Sequence, residues 1–138
     1  MILSSIEKRL FLKSVELFKL ISDDDLVWIA EITQNVHFDA GEQFLTQGEH
    51  GDCVYITMSG KTDILIDGVG KVATLGEREV IGEMAVLSDR LRTASCIAVT
   101  EVTALKIVRR RFIEFLRERP ESALGIIQVL ARRLKTHI

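Results

Sequence analysis

The sequence predicts a mainly β protein in which an antiparallel β-roll lies between helices at both ends of the chain. Apolar residues recur at helical spacing before residue 35 and after residue 108. Between these stretches the segments are short, and apolar and polar residues often alternate. Eight glycines punctuate this middle stretch at intervals typical of the turns of a small antiparallel sandwich or barrel.

Residues 1–34 predict two short helices. Their apolar positions at helical spacing are Leu10, Leu17, Phe18 and Ile21 in the first stretch and Leu26, Ile29, Ala30 and Thr33 in the second. Ser22 and Asp25 form a capping signal, because a hydroxyl and a carboxylate can accept hydrogen bonds from the free amides at a helix start. We therefore expect the second helix to begin at Ser22.

The β-roll is predicted to span residues 35–108. Alternation is clearest along residues 53–58 and 62–67, each of which reads as a strand. Asp67-Gly68 is a favoured hairpin pair because both residues tolerate positive φ, and Ser59-Gly60 marks another turn one strand earlier.

The helical period returns in residues 109–138. Phe112, Phe115 and Leu116 form one short apolar face, and Pro120 suits the first turn of a last helix. That helix carries an apolar stripe of Leu124, Ile127, Leu130, Ala131 and Leu134. The stripe fits a helix pair in a homodimer, but packing on the chain's own β-roll is the simpler use and the one we expect.

Composition places these elements in one domain, residues 1–138. The chain is 47% hydrophobic and 28% charged, which suits a compact domain with a core. A net charge of −2 disfavours direct nucleic acid binding, although residues 1–105 carry −8 and residues 106–138 carry +6. The basic tail reads as a solvated helix face more readily than as a docking surface. Apolar runs are too short for membrane insertion and no signal peptide is evident, so a cytoplasmic protein is expected.

Catalytic and metal chemistry find no support in the sequence. Cys53 and Cys96 each lie in an alternating apolar segment, which predicts buried and inert thiols. His37, His50 and His137 are scattered without ligand spacing, so no metal site, catalytic residue or cofactor is expected.

One segment, residues 81–94, breaks the alternation without being a simple turn. Gly82 permits close backbone approach, and the residues after it can form one helical turn whose free amides favour an anion. The Arg92 guanidinium could grip an anionic oxygen pair bidentately. Glu83 would be odd beside an anion unless it accepts hydrogen bonds from hydroxyls, so a phosphate with a sugar hydroxyl would explain both charges.

The segment resembles the phosphate-binding cassette of the cyclic nucleotide-binding domain family, which reads roughly Phe-Gly-Glu-Leu-Ala-Leu, a short variable stretch and Pro-Arg-Thr-Ala. Residues 82–87 and 92–94 match it at the family's spacing. Residues 12–18 resemble the family's opening helix, and similar β-roll residues are Gly41, Gly48, Tyr55, Ile56 and Gly60. The resemblance implies a jelly-roll-like fold, the double-stranded β-helix.

The resemblance also implies roles for individual residues. Glu83 would accept the ribose 2′-hydroxyl, Arg92 would pair with the cyclic phosphate, and Gly82 would leave room for the sugar. Backbone amides around Ala85 and Thr93 would complete the phosphate cradle. A hydroxyl at Thr93 is associated in the family with tolerance of guanine, which leaves both cAMP and cGMP open. The implied ligand-binding set is Gly82, Glu83, Met84, Ala85, Arg92, Thr93 and Ala94.

Further positions are candidates for the rest of the pocket. Val72, Leu75, Val80 and Ile81 could form an apolar wall, although their spacing equally describes ordinary core. Leu130 or Arg133 could cover the base as a lid. Three positions depart from the family pattern: Ile81 replaces Phe, Leu91 replaces Pro, and Arg78 stands where Gly is common. These departures affect the rigidity of the loops and leave the implied phosphate and ribose ligands in place.

The expected function is a non-catalytic regulatory module that binds cAMP or cGMP. Ligand held by the cassette would shift a population of states, and the C-terminal helices would follow by repacking. The alternative is a degenerate β-roll in which Glu83 pairs with Arg92, no ligand binds, and the chain acts in protein interaction or dimerisation. The effector or partner protein stays unknown.

Overall fold

The computed structural model describes residues 3–135, except for the side chain of Lys135. The chain divides into two compact units. One comprises residues 34–109, and the other combines the residues up to 33 with those from 110 onward. No helix within the described residues is both long enough and apolar enough to cross a membrane.

The unit of residues 34–109, the β unit, contains eight strands and one short helix, and the other is the helical unit. The strands are β1 (Gln34–Phe38), β2 (Gln43–Leu45), β3 (Cys53–Ser59), β4 (Thr62–Ile66), β5 (Gly70–Leu75), β6 (Val80–Ile81), β7 (Ser95–Ala98) and β8 (Val102–Val108). Every pairing is antiparallel, in two four-stranded sheets ordered β1-β8-β3-β6 and β2-β7-β4-β5. The predicted fold class, a mainly antiparallel β-roll with helices at both ends of the chain, is confirmed.

The turns between strands follow the residues that the sequence singled out. The β4–β5 turn is closed by a hydrogen bond of 3.0 Å from the Val69 amide to the Ile66 carbonyl, with Gly68 at a φ of +78°. Gly60, between β3 and β4, has a φ of +96° and approaches the backbone of Glu101 so closely that a Cβ would overlap it. Glycine is therefore required at position 60 for two independent reasons.

Aromatic rings fill one end of the β-roll core. The rings of Phe38 and Phe44 stack with centroids 4.2 Å apart, and Tyr55 meets both edge-on at 5.5 Å and 5.3 Å. Tyr55 and the neighbouring Cys53 are buried in the same hydrophobic cluster. This packing fixes β3, the strand that begins beside the cassette.

The second unit contains the terminal helices. They are α1 (Ser5–Lys13), a 3₁₀ turn (Glu16–Phe18), α2 (Asp23–Glu31), α4 (Arg109–Glu118), whose first residue belongs to the β unit, and α5 (Pro120–Lys135). Ser22 caps α2 as expected, its hydroxyl accepting from the Asp25 amide at 3.3 Å. Phe112 and Phe115 are fully buried, which confirms the predicted apolar face of α4.

A polar network joins α2 to the junction between α4 and α5. The Asp25 carboxylate accepts hydrogen bonds from Arg119 Nε at 3.0 Å and from the Ser122 hydroxyl at 2.6 Å. The Arg119 guanidinium also lies 4.9 Å from the ring centroid of Trp28. Charge-assisted hydrogen bonds and a cation–π contact therefore fix where α5 begins.

The prediction that the α5 stripe packs inward is wrong. Leu124, Ile127 and Leu134 are 53%, 58% and 66% exposed, whereas the buried positions of the helix are Ser122, Gly125, Ile126 and Val129. Gly125 lets the helix approach Leu20, since a Cβ there would lie 3.2 Å from the Leu20 Cβ. The helix therefore carries apolar residues on two faces, and the buried one combines Ile126 and Val129 with the small Ser122 and Gly125. A stripe counted from Leu124 selects the other face.

The helix of the cassette is α3 (Glu83–Ser88), and a glycine outside the cassette determines how closely it packs. The Cα of Gly51 comes so near α3 that a Cβ on it would lie 2.6 Å from the Cβ of Ala85. Gly51 is buried, and its amide donates to the Arg90 carbonyl at 3.3 Å. The loop before β3 and the end of the cassette are thus held in direct contact.

Arg78 adopts a left-handed backbone conformation with a φ of +66°. Its amide donates to the Thr57 carbonyl at 2.8 Å, which fixes the turn before β6. The family commonly has glycine at this position, and a positive φ explains why, because a Cβ disfavours that conformation.

We predict that Arg78→Gly stabilises the protein by about 1 kcal/mol, because glycine relieves the cost of positive φ. Denaturant unfolding measures the change. Glu79→Gly is the control, since Glu79 is exposed and has no positive φ, and glycine there should destabilise. Equal destabilisation by both variants would contradict the prediction.

Gly51→Ala should destabilise the protein by about 1–3 kcal/mol, because the new methyl group would overlap Ala85. Gly76→Ala is the matched control, since a Cβ at Gly76 meets no atom within 4 Å and the φ there is not positive. The free energies of unfolding of the two variants and the parent chain give the comparison. If Gly51→Ala is tolerated as well as Gly76→Ala, the described contact between Gly51 and α3 is wrong.

Candidate functional site

A cavity of about 260 Å³ opens beside α3, within the β unit. Its volume is near the lower end for small-molecule sites, which begins at about 300 Å³. The whole predicted binding set lines it: Gly82, Glu83, Met84, Ala85, Arg92, Thr93 and Ala94. Three of the predicted wall residues, Leu75, Val80 and Ile81, line it too. The structure thus brings together residues that lie up to 19 positions apart in the sequence.

Val72 does not belong to this cavity, so its assignment as pocket wall is wrong. The side chain lies on β5 and is 46% exposed, and it contributes to neither the wall nor the core. All of β5 before Leu75 is exposed, which explains the error. Only Leu75, the last residue of β5, is partly buried. The alternation of apolar and polar residues along β5 therefore does not mark a buried face.

Three apolar side chains that were not predicted also line the cavity. Leu45 comes from β2, Ile64 from β4 and Cys96 from β7. Their only signal in the sequence is alternation, which assigns them to an inner face without saying that this face borders a cavity. The pairing of β4 with β7 brings Ile64 opposite Cys96, and that register decides their shared place.

The Arg92 guanidinium faces two backbone carbonyl oxygens. Its Nη1 donates to the Gly82 carbonyl at 3.0 Å and its Nη2 to the Cys53 carbonyl at 2.6 Å. Its ion pair with Asp52 is long, at 3.9 Å from Nη2 to Oδ1, and the Asp52 side chain is 83% exposed. Backbone carbonyls orient the guanidinium but carry no net charge, so its positive charge is only weakly offset.

Burial makes this arrangement unusual. Arg92 is 6% exposed, and among the residues whose burial is described no other Lys, Arg, Asp or Glu is buried. A buried cation is costly unless it is paired, and its potential is strong in a site with little water. The cavity therefore offers an anion a charge that is already oriented.

Gly82 is required by the position of Arg92. Its φ is +91°, and a Cβ there would overlap Nη1 of Arg92. The expected close approach is therefore made in this structure by the guanidinium. Asp89 ends α3 in a second left-handed conformation, with a φ of +55°. Both ends of the short helix thus turn sharply, as residues at positive φ permit.

The two cysteines are free and buried, as predicted. Burial raises the pKa of the Cys96 thiol to about 11 and also raises the pKa of Cys53. The pKa of Tyr55 is raised by burial and by its hydrogen bond with Cys53. A thiol is neutral below its pKa, so both cysteines are protonated near pH 7 and are poor nucleophiles.

The histidines that are described do not line the cavity. His37 lies between two carboxylates, with Nδ1 at 3.6 Å from Asp39 and Nε2 at 3.2 Å from Glu101. These three side chains are exposed, and both ring nitrogens already face a carboxylate. His50 lies 3.3 Å from Asp89, and His137 lies outside the described residues.

Two residues offered as a lid lie on α5. Leu130 is half-buried there, and Arg133 Nε is 3.7 Å from the Glu16 carboxylate. Both belong to the helical unit. Their role as a lid stays a prediction.

Comparison with known proteins agrees with this geometry. Residues 35–119 match the family described as cyclic nucleotide-binding domain. The chain is 31% identical over 123 residues to a CRP-like cAMP-activated global transcriptional regulator of Mycobacterium tuberculosis, an alignment covering 86% of this chain. The chain spans about half of that regulator, 55% of its length.

Solved structures show the same fold. The N-terminal domain of a transcriptional regulator from Streptomyces coelicolor superposes with a TM-score of 0.79 and 27% identity, over 92% of this chain and 94% of that one. The regulatory subunit of a cAMP-independent protein kinase A from Trypanosoma cruzi, bound to guanosine, gives a TM-score of 0.78 and 27% identity over 94% of this chain and 47% of its own. With its cassette, its fold and these matches, this chain belongs to the cyclic nucleotide-binding domain family.

Proposed function

We propose that this chain is a non-catalytic regulatory module that binds a cyclic purine nucleotide, cAMP or cGMP, in the cavity beside α3. The observation that carries the proposal is the burial of Arg92, a cation that lines the cavity and whose ion pair with the exposed Asp52 is 3.9 Å long. A cyclic phosphate supplies the anion that this buried charge lacks.

The other residues that line the cavity suit the ribose and the base of such a nucleotide. Glu83 lies at the start of α3, where its carboxylate would accept a ribose hydroxyl, and amides near Ala85 and Thr93 would complete the phosphate cradle. Apolar side chains from β2, β4 and β5 offer a surface for a flat base. The exposed Thr93 hydroxyl suits contact with a base edge, so both purines fit the proposal.

The names of the relatives mention two classes of ligand, a cyclic nucleotide and a nucleoside. The Mycobacterium tuberculosis regulator is described as activated by cAMP, and the Trypanosoma cruzi subunit as cAMP-independent and bound to guanosine. A nucleoside lacks the phosphate that would use Arg92. The buried cation therefore favours a nucleotide for this chain.

Signal transmission is part of the proposal. Ligand held by the cassette would change the position of α3, and the C-terminal helices would follow, with Phe112, Phe115 and Leu130 repacking. The chain runs directly from β8 into α4, so these helices begin at the end of a strand of the β unit.

Titration calorimetry with cAMP, cGMP and guanosine tests the binding. We expect heat from at least one nucleotide at concentrations up to the high micromolar range, and weaker binding of guanosine. Arg92→Ala should weaken nucleotide binding about 30-fold or more, because it removes a charge-assisted, bidentate contact. The affinity of Arg92→Lys should lie between those of the parent chain and Arg92→Ala, since lysine keeps the charge but lacks the planar guanidinium.

Arg90→Ala is the matched control, because Arg90 is exposed two residues away and its side chain does not line the cavity. Thermal unfolding without ligand shows whether each variant is folded. No heat from either nucleotide with the parent chain would overturn the proposal in favour of the ligand-free β-roll. Equal affinities of Arg92→Ala and Arg90→Ala would overturn the role of Arg92.

A second candidate function, dimerisation through α5, is favoured by the exposed stripe. Leu124, Ile127 and Leu134 are each more than half exposed on one face of that helix. Burying a large apolar side chain contributes about 1.5–3 kcal/mol of stabilising free energy. Burial of this face against a partner would therefore stabilise the complex. A second copy of the helix offers a matching apolar face.

Light scattering of the parent chain should therefore report a dimer, and Ile127→Glu should convert it to a monomer by placing a charge in the stripe. Arg132→Glu is the control, because Arg132 is exposed and is not three or four residues from any of Leu124, Ile127 and Leu134. A parent chain that is monomeric at high micromolar concentration would overturn this second function without affecting nucleotide binding.

A further inference from the structure

The Arg109 side chain contacts the end of the cassette helix at two points. Its Nε donates to the Val86 carbonyl at 3.1 Å, and its Nη2 lies 3.7 Å from Asp89 Oδ1. Val86 lies in the last turn of α3, and Asp89 is the C-cap. The end of a helix exposes free carbonyls with partial negative charge, so a guanidinium is favourable there.

These contacts matter because α3 has only six residues. A helix so short has little stability of its own, and its position depends on contacts made from outside it. The Arg109 side chain is 31% exposed, which shields its hydrogen bond partly from water. On the same carboxylate, His50 Nε2 lies 3.3 Å from Asp89 Oδ1.

The backbone of Arg109 contacts the loop before β3. Its amide donates to the Asp52 carbonyl at 2.7 Å. Asp52 directly precedes Cys53, whose carbonyl holds Arg92 at 2.6 Å. Arg109 therefore connects α3, which lines the cavity, with the start of the strand that orients its buried cation.

We propose that Arg109 is a positioning residue for the nucleotide cavity, holding the end of α3 at the distance from β3 that ligand binding needs. This role rests on the proposed function. Arg109 is also the first residue of α4.

Two measurements on Arg109→Gln test the role. Without ligand, amide hydrogen exchange in residues 83–90 should become faster, because the helix end loses both contacts. The affinity for the nucleotide that binds the parent chain, cAMP or cGMP, should weaken about three- to tenfold. Arg111→Gln is the control, since Arg111 is an exposed residue in the same turn of α4, and it should change neither quantity.

Two further variants separate positioning from general damage to the fold. Arg109→Lys keeps a cation near Asp89 but loses the geometry of Nε, so its affinity should lie between parent and Arg109→Gln. Asp89→Asn should weaken binding, and adding it to Arg109→Gln should cause less further loss than it causes alone, because the two residues share one contact.

The outcomes distinguish this inference from the proposed function. Unchanged exchange in residues 83–90 of Arg109→Gln overturns the positioning role. Faster exchange with unchanged affinity overturns it as well, because α3 would then be free to move without consequence for the ligand. A parent chain that binds neither nucleotide overturns the proposed function and this role together, whereas parent binding with unaltered affinity in Arg109→Gln overturns this role alone.

Discussion

The site depends on one constraint, the burial of the Arg92 guanidinium against two backbone carbonyls. Gly82 and Cys53 supply those carbonyls, at 3.0 Å and 2.6 Å. Neither contact neutralises the charge, so the arrangement is stable only because the surrounding backbone is fixed. The strand order β8-β3-β6 fixes it, because β3 and β6 are neighbours and bring Cys53 and Gly82 to the same side of the guanidinium.

Close packing of the backbone near this cation requires two glycines, each for a different reason. Gly82 has a positive φ and would also overlap Arg92 if it carried a Cβ. Gly51 has no positive φ and is required only because Ala85 lies so near. The loop before β3 also pairs with the end of the cassette, where the Arg92 amide donates to the Glu49 carbonyl at 2.7 Å. The cassette is therefore held in place by a second stretch of chain, residues 48–53.

The helical unit follows a different principle, in which polar contacts set the position of a helix and small residues set its distance. Asp25 binds both Arg119 and Ser122, so α5 begins at a fixed place relative to α2. Gly125 then allows a close contact with Leu20. As a result α5 buries the face that carries Gly125, Ile126 and Val129 and exposes the face that carries Leu124, Ile127 and Leu134.

The sequence by itself determined the order of elements, the turns and the cassette, because these depend on local properties: helical or alternating periodicity, the tolerance of glycine for positive φ, and the spacing between Glu83 and Arg92. Even the left-handed backbone at Arg78 could be anticipated from the glycine that the family prefers there. Only the tertiary structure decided that Val72 is exposed and that Leu45, Ile64 and Cys96 share the cavity, since strand register brings residues from separate strands together. It also decided which of the two apolar faces of α5 is buried and which carbonyls hold Arg92, because the choice of packing partner and of backbone acceptor leaves no mark on the side-chain pattern.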